Sequence, residues 1–266
     1  AEDGIRDLVR SRGLGDVYKR QEQNMSGHSK WSTIKRKKAA ADQKRGKIFT
    51  KLIKEITVAA RQGGGDIDGN PRLRLAVDNA KSANMPMDNI ERAIKKATGE
   101  LEGVSYLELT YEGYGPGGIA ILVESVTDNK NRTVAEVRHA FSKYGGSLGE
   151  TGSVAWMFDR KGVISISAQG KTEDEMMELV LEAGAEDLQN EEDYFEIISS
   201  VEDFETVRKA IADAGLEVEN ASLQWIAKNT VEVSGESSEK LIKMIDMMED
   251  NDDVQNVYTN ADFVEE

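Results

Sequence analysis

The side chains whose type and spacing could do chemistry in this chain are cations. Residues 25 to 61, MSGHSKWSTIKRKKAAADQKRGKIFTKLIKEITVAAR, hold eleven Lys or Arg against Asp42 and Glu55, a local +9 in a protein of formal charge −15. Residues 25 to 98 carry seventeen bases and seven acids, whereas residues 99 to 266 carry twelve and thirty-seven. A basic module joined to an acidic body is the asymmetry of a nucleic-acid-binding element, and a solvated helix face is the alternative. At about 100° per residue, Lys44, Lys47, Lys51, Lys54 and Arg61 fall in one arc, and Ile48, Phe49, Leu52, Ile53, Ile56, Ala59 and Ala60 in another. One face is therefore expected to pack while the other tracks phosphates. The expected contacts are Lys30, Trp31, Lys35, Arg36, Lys37, Lys38, Lys44, Arg45, Lys47, Lys51, Lys54 and Arg61. Phosphate neutralisation releases counterions, so binding should depend steeply on salt and carry no sequence preference of its own.

Other arrangements fail on context. Gly113, Gly115 and Gly118 satisfy G-x-G-x-x-G, but a dinucleotide site needs that turn to open a helix, and the strand-like IAILVES follows. A hairpin turn is expected instead. Gly145, Ser147 and Gly149 match G-x-S-x-G, yet a nucleophile elbow runs from strand to helix and this segment runs from helix to strand. His28 and His139, the only imidazoles, lie on unrelated elements, so neither a metal site nor a Ser-His-Asp set is supported. The chain has no Cys, which excludes disulfides, thiol catalysis and cysteine-ligated metals and suits a reducing cytoplasm. No apolar run approaches the roughly 20 residues that span a bilayer. No enzyme and no cofactor are expected. Met176, Met177, Met244, Met247 and Met248 fall at helical positions and read as core filler. The polar cluster TDNKNRT, residues 127 to 133, reads as a helix start capped by Asn131 or Asp128. Its neighbourhood also carries Lys130, Arg132, Arg138 and Lys143, a candidate second contact to nucleic acid.

Residues 1 to 24 show little apolar periodicity. Their string DVYKRQ matches an in-frame translation of a transposase adapter, so a native start at Met25 is expected, with 1 to 24 a leader or scar lacking fixed structure. Residues 25 to 100 read as a basic helical unit. An amphipathic helix ends at Gly63, Gly64 and Gly65. Asp68 or Asn70 caps the next, with Pro71 in its first turn, and another runs from Pro86 to Gly99. Trp31 is either a core plug or a ring for stacking on a base.

After Gly103 the period becomes two. LELTYEGYGPGGIAILVES reads as a hairpin, NRTVAEVRHAFSKYG as a helix and SVAWMFD as a strand. An acidic stretch then runs GVISIS strand, DEMMELVLEAG helix, DYFEIISS strand, FETVRKAIADAG helix, SLQWIAK strand. TVEVSG, a helix around LIKMIDMMED, and VQNVYTN close the chain. Pairing the strand-helix-strand at 119–158 with that at 230–260 gives one ferredoxin-like sheet formed by residues 101–161 and 228–266, interrupted by an inserted acidic α/β unit at 162–227. The expected class is α+β multidomain, with an all-α N-terminal part followed by two α/β parts.

The strings MSGHSKWSTIKRKKAAADQKRGKIFTKL, YEGYGPGG, TDNKNRT and GGSLGETGSVAWMF resemble the YebC/PmpR family, which includes the mitochondrial translational activator of cytochrome c oxidase. The resemblance covers residues 25 to about 264 and leaves residues 1 to 24 without a counterpart. It implies three domains around an acidic cleft, with no enzyme and no cofactor. Bacterial members of the family are described as DNA-binding transcriptional regulators, while its mitochondrial branch and some bacterial members act on translation. The implied partner is thus DNA or, alternatively, ribosomal RNA on the ribosome. A cytoplasmic monomer is expected, without membrane attachment.

Overall fold

The computed structural model describes residues 45–168, 170, 172–191 and 194–264. Helices α1 (Arg45–Gly63), α2 (Pro71–Ser82) and α3 (Met87–Ala97) form the N-terminal unit. Ile56, Ala59 and Ala60 of α1 interlock with Leu73, Ala76, Val77 and Ala80 of α2 and with Ile90, Ala93 and Ala97 of α3. The small residues let the helices approach closely, while Ile48, expected on the packed face, is 40% exposed. Asn70 makes the first corner. Its Oδ1 accepts the Leu73 amide at 3.1 Å, and its Nδ2 donates to the carbonyls of Ala59 and Gly64 at 2.8 and 2.9 Å. One buried side chain thereby caps α2 and satisfies carbonyls at the end of α1. A Cβ on Gly63 would lie 2.6 Å from that amide, which is why glycine stands there.

The first sheet has the order β3-β1-β2-β9. Strands β1 (Leu107–Tyr114) and β2 (Ala120–Thr127) form an antiparallel hairpin, followed by α4 (Lys130–Lys143) and β3 (Ser147–Leu148). The chain returns much later as α7 (Gly235–Glu249) and β9 (Val254–Thr259). Both helices cover one face, where Ile119, Ile121 and Val123 meet Val137, Phe141, Leu241, Met244 and Ile245. The glycine-rich turn feeds β2, so it is the hairpin that its strand context demands. Packing accounts for Gly113 and Gly115. A Cβ on Gly113 would sit 2.4 Å from the Ser147 carbonyl oxygen, and one on Gly115 2.7 Å from the Met244 methyl.

Between β3 and α7 the chain builds a second, wholly antiparallel sheet of order β5-β6-β4-β7. It comprises β4 (Phe158–Ser167), α5 (Glu173–Glu182), β5 (Ala185–Glu191), β6 (Tyr194–Ser199), α6 (Phe204–Asp213) and β7 (Val218–Ala227). The α+β class expected from the pattern is the observed one, with three corrections. SVAWMFD is not a strand of the first sheet. Ala155–Met157 form a 3-10 turn, and the strand from Phe158 joins the second sheet. Residues 185–191, to which the sequence pattern assigned no element, form the edge strand β5. The TVEVSG strand, β8 (Val231–Val233), pairs in parallel with β10 (Ala261–Phe263) as a separate ribbon and not with the first sheet. Among the described residues, no helix is long and apolar enough to cross a membrane.

Candidate nucleic-acid interface

The lysine face of α1 meets protein along most of its described length. Lys47 Nζ donates to the Asp250 carbonyl at 3.1 Å and to its carboxylate at 3.0 Å, and Lys51 Nζ donates to the Glu249 carbonyl at 2.9 Å. These oxygens close α7, where the last turn of a helix leaves carbonyls without amide partners and the helix dipole is negative. The lysines of α1 thus cap a helix some 200 residues away in the chain, at separations of 203 and 198. One turn further in, Lys54 Nζ reaches Asp253 Oδ1 at 2.8 Å, the Asp252 carbonyl at 2.8 Å and the Val126 carbonyl at 3.1 Å. Lys54 is only 7% exposed. It is a buried structural cation, not the solvent-facing phosphate contact that its helical position suggested.

Asp253 is the centre of this junction. Its second oxygen accepts Arg132 Nη2 at 2.6 Å, Arg132 Nε at 3.0 Å and Thr133 Oγ1 at 2.9 Å. Burial pushes the Asp253 carboxyl up, but the bonds from Lys54, Arg132 and Thr133 and the Lys54 charge outweigh it and bring the carboxyl down to about 2. Arg132 also pairs with Asp128 at 2.8 Å. Asp253 first and Asp128 second raise its pKa above the ordinary guanidinium value. The TDNKNRT cluster therefore has a structural task. Its cap is Asn129, not Asn131 or Asp128: Asn129 Oδ1 accepts the Arg132 amide at 3.1 Å, and the Asn129 amide donates to Thr127 Oγ1 at 2.9 Å.

The structure thus brings Lys47 of the first expected set and Arg132 of the second to the wall of one groove of about 650 Å³. Lys130, Arg138 and Lys143 are exposed on α4, and Arg61 donates to Ser105 Oγ at 2.6 Å. Lys30, Trp31, Lys35, Arg36, Lys37, Lys38 and Lys44 lie outside the described residues, as does the side chain of Arg45. Lys81, Arg92, Lys95 and Lys96, which were not singled out from sequence, are exposed and make no ion pair among the described residues. The spacing of 92, 95 and 96 along one helix face was the available signal. A structural task competes for it, because Lys95 and Lys96 occupy the last turn of α3, where cations complement the dipole.

A second, larger cleft of about 1170 Å³ lies between the helical unit and the two sheets. Its charged lining is Glu55, Glu108, Glu124, Glu196, Glu205 and Glu219 against Lys51, Arg72 and Arg160. Arg72 already pairs with Glu55 at 2.8 Å and Glu108 at 2.5 Å, and Arg160 pairs with Glu124. Surplus carboxylates there give the cleft a negative potential that disfavours phosphates. Among the described residues, no group of three His, Cys, Asp or Glu is placed to hold a metal ion.

Residues 29–100 match the family described as "TACO1/YebC protein N-terminal domain", and residues 106–261 match "TACO1/YebC second and third domain". A "Probable transcriptional regulatory protein" of Desulfatibacillum aliphaticivorans is 62% identical over 238 residues, covering 90% of this chain and 96% of that protein. One of the same description from Chloroherpeton thalassium is 60% identical over 242 residues, covering 91% and 97%. Among solved structures, a conserved hypothetical protein, Aq1575, from Aquifex aeolicus superposes with a TM-score of 0.81 at 47% identity, over 86% of this chain and 94% of that one.

Proposed function

Because the chain belongs to the TACO1/YebC family, we propose that it is a non-enzymatic regulator of gene expression that binds the phosphate backbone of DNA through its basic N-terminal unit. The observation that carries this reading is the charge split, +10 over residues 25 to 98 against −25 over residues 99 to 266. The relatives named as probable transcriptional regulators supply the physiological setting. The packing of the lysine face of α1 against the end of α7 narrows the mode of binding. That helix packs on both sides, so in this conformation it cannot lie in a major groove as a recognition helix would. The contacts assigned to it are phosphate contacts, made by the rim residue Lys47 and by the cations that precede it. Phosphates are common to DNA and RNA, and the test covers both.

The test is the salt dependence of binding. With about six phosphates neutralised, log affinity should fall against log salt with a slope of roughly −5 on duplex DNA and about −4 on single strands. Changing Lys35, Arg36, Lys37 and Lys38 to Gln should shrink the duplex slope by about three to four units, similarly for every sequence tried. An unchanged slope, with circular dichroism intact, would reject the basic N-terminal unit as the binding element. Tighter binding to a structured ribosomal RNA than to duplex DNA in the same salt would move the function from transcription to the ribosome.

A further inference from the structure

The loop between β3 and β4 plays no part in the phosphate contacts, yet it presents two aromatic rings to solvent. Trp156 is 66% exposed, and Tyr114, at the end of β1, is 37% exposed. The Trp156 Nε1 and the Tyr114 hydroxyl both donate to the Ser153 carbonyl at 3.2 Å, so the polar edges of the two rings meet at one atom. An indole has no other polar atom, and what Trp156 offers to solvent is therefore an apolar face. The loop is fixed beneath it. The buried carboxylate of Glu112 accepts the amides of Gly152, Val154 and Ala155, and Gly152 turns the chain at φ +88°. A tryptophan held outward in this way forgoes the burial that a ring of its size would otherwise contribute.

The surroundings narrow the ligand. Exposed neighbours Gly145, Ser147, Gly149, Glu150, Thr151 and Gly152 are small or polar. The apolar patch thus has the size of one or two rings, too small for the core of a protein interface but matched to a nucleobase. Between Val137 and Phe158 the only acid is Glu150, against Arg138 and Lys143, in a body whose residues 99 to 266 carry thirty-seven acids. The next acid along the chain, Asp159, is paired with Lys228 at 3.2 Å. Arg138 and Lys143 are exposed on α4, and the turn that follows α4 abuts β1: a Cβ on Gly146 would lie 2.6 Å from the Tyr114 carbonyl oxygen. We propose that Trp156, with Tyr114 beside it, is a stacking platform for an unpaired nucleobase, in the one stretch of the body where negative charge does not repel a nucleic-acid strand. This rests on the nucleic-acid reading and deepens it, because the bases of a duplex are already stacked and the platform selects single-stranded or looped segments.

The full chain, titrated by fluorescence anisotropy against labelled oligo(U), oligo(dT) and a DNA duplex, provides the test. Trp156→Ala should weaken binding of the single strands by about five- to hundredfold, the worth of one stacked base, and leave the duplex within about twofold. Its salt slope should stay at the wild-type value, since no cation is removed. Trp156→Phe, which keeps a flat ring, should recover most of the loss, and Trp156→Leu should not. A preference for oligo(U) over oligo(dT) would assign the platform to RNA, and the reverse to DNA. Single-strand affinity unchanged in Trp156→Ala, as for a ring that serves a protein partner or a second copy of the chain, would overturn the platform while leaving duplex binding in place. A Leu variant as good as the Phe variant would overturn it too, by showing that no flat face is needed. Wild type that binds none of the three probes at low salt would overturn the nucleic-acid reading together with the platform.

Discussion

Asp253→Ala is expected to destabilise the protein by about 3–5 kcal/mol, because it leaves Lys54 charged and buried with two carbonyl oxygens and the face of Tyr106 but no counter-charge. For a chain near this size each kcal/mol corresponds to about 2–4 °C, so the midpoint of thermal unfolding should drop by roughly 10 °C. Lys54→Met should cost less than half as much. Met keeps most of the apolar stem, and the Asp253 carboxylate retains Arg132 and Thr133 as donors. This asymmetry is the diagnostic part, since loss of a pairwise contact alone would make the two variants equal. Lys47→Gln and Lys51→Gln should each stay within about 0.5 kcal/mol of wild type. Charge removal along α1 therefore leaves the fold intact at 47 and 51 but not at 54, and a binding experiment that includes Lys54 would mix unfolding with lost affinity. Calorimetry of the four variants checks this, and an Asp253→Ala loss under about 1 kcal/mol would remove the junction from the account of stability.

The same carboxylate sets a pH window. Asp253 titrates at about 2 in the folded protein, below its unfolded value of about 3.9. Its contribution is therefore fully present above about pH 4 and disappears as pH falls through 2, an effect on the order of 2 kcal/mol. Glu108 is also held below the ordinary carboxylate range, mainly by its bond from Arg72 against the upward push of burial. Both groups weaken the protein in the same direction on acidification. The gap between wild type and Asp253→Ala should be widest near neutrality and should narrow below pH 3. A gap independent of pH would mean that packing, and not ionisation, carries the loss.

What was legible in the sequence was local. Asn70 before Pro71, the glycine after α3, the hairpin at Pro116–Gly118 and the methionines of α7 depend on neighbours a few residues away, and the structure has them as the spacing suggests. The outward direction of the lysine stripe was not legible. Helical periodicity puts charges and apolar residues on opposite faces, but it cannot show that the charged face meets the C-terminus of another helix about 200 positions later. Strand β5 was missed because AEDLQNE is an edge strand with two buried apolar side chains, Ala185 and Leu188, and carries almost no alternation. SVAWMFD misled for the opposite reason. Val154, Trp156 and Phe158 alternate well, yet a remote carboxylate claims the backbone amides that a strand would have used.

That carboxylate is Glu112, and its removal should give the second large effect. Glu112 lies on β1 and is 4% exposed. Oε1 accepts the Gly152 amide at 2.7 Å, and Oε2 accepts the amides of Val154 and Ala155, both at 2.8 Å. Burial pushes the carboxyl up, but the three amide bonds win and hold it below the ordinary range. Three orphan donors are thus satisfied by one side chain, which turns residues 152–155 away from strand geometry and raises Trp156 to 66% exposure. The Trp156 Nε1 and the Tyr114 hydroxyl both donate to the Ser153 carbonyl at 3.2 Å, so the rings depend on the same clamp. Glu112→Gln keeps the shape but replaces one acceptor oxygen with an NH₂ that faces an amide donor. A loss of about 2–3 kcal/mol is expected, or roughly 4–12 °C in midpoint, with Glu112→Ala at least as severe. Amide exchange supplies the local readout: protection should fall at Gly152, Val154 and Ala155 before it falls in β2 or β9. If exchange at those three amides stays at its wild-type rate in Glu112→Gln, the carboxylate is not what bends this loop.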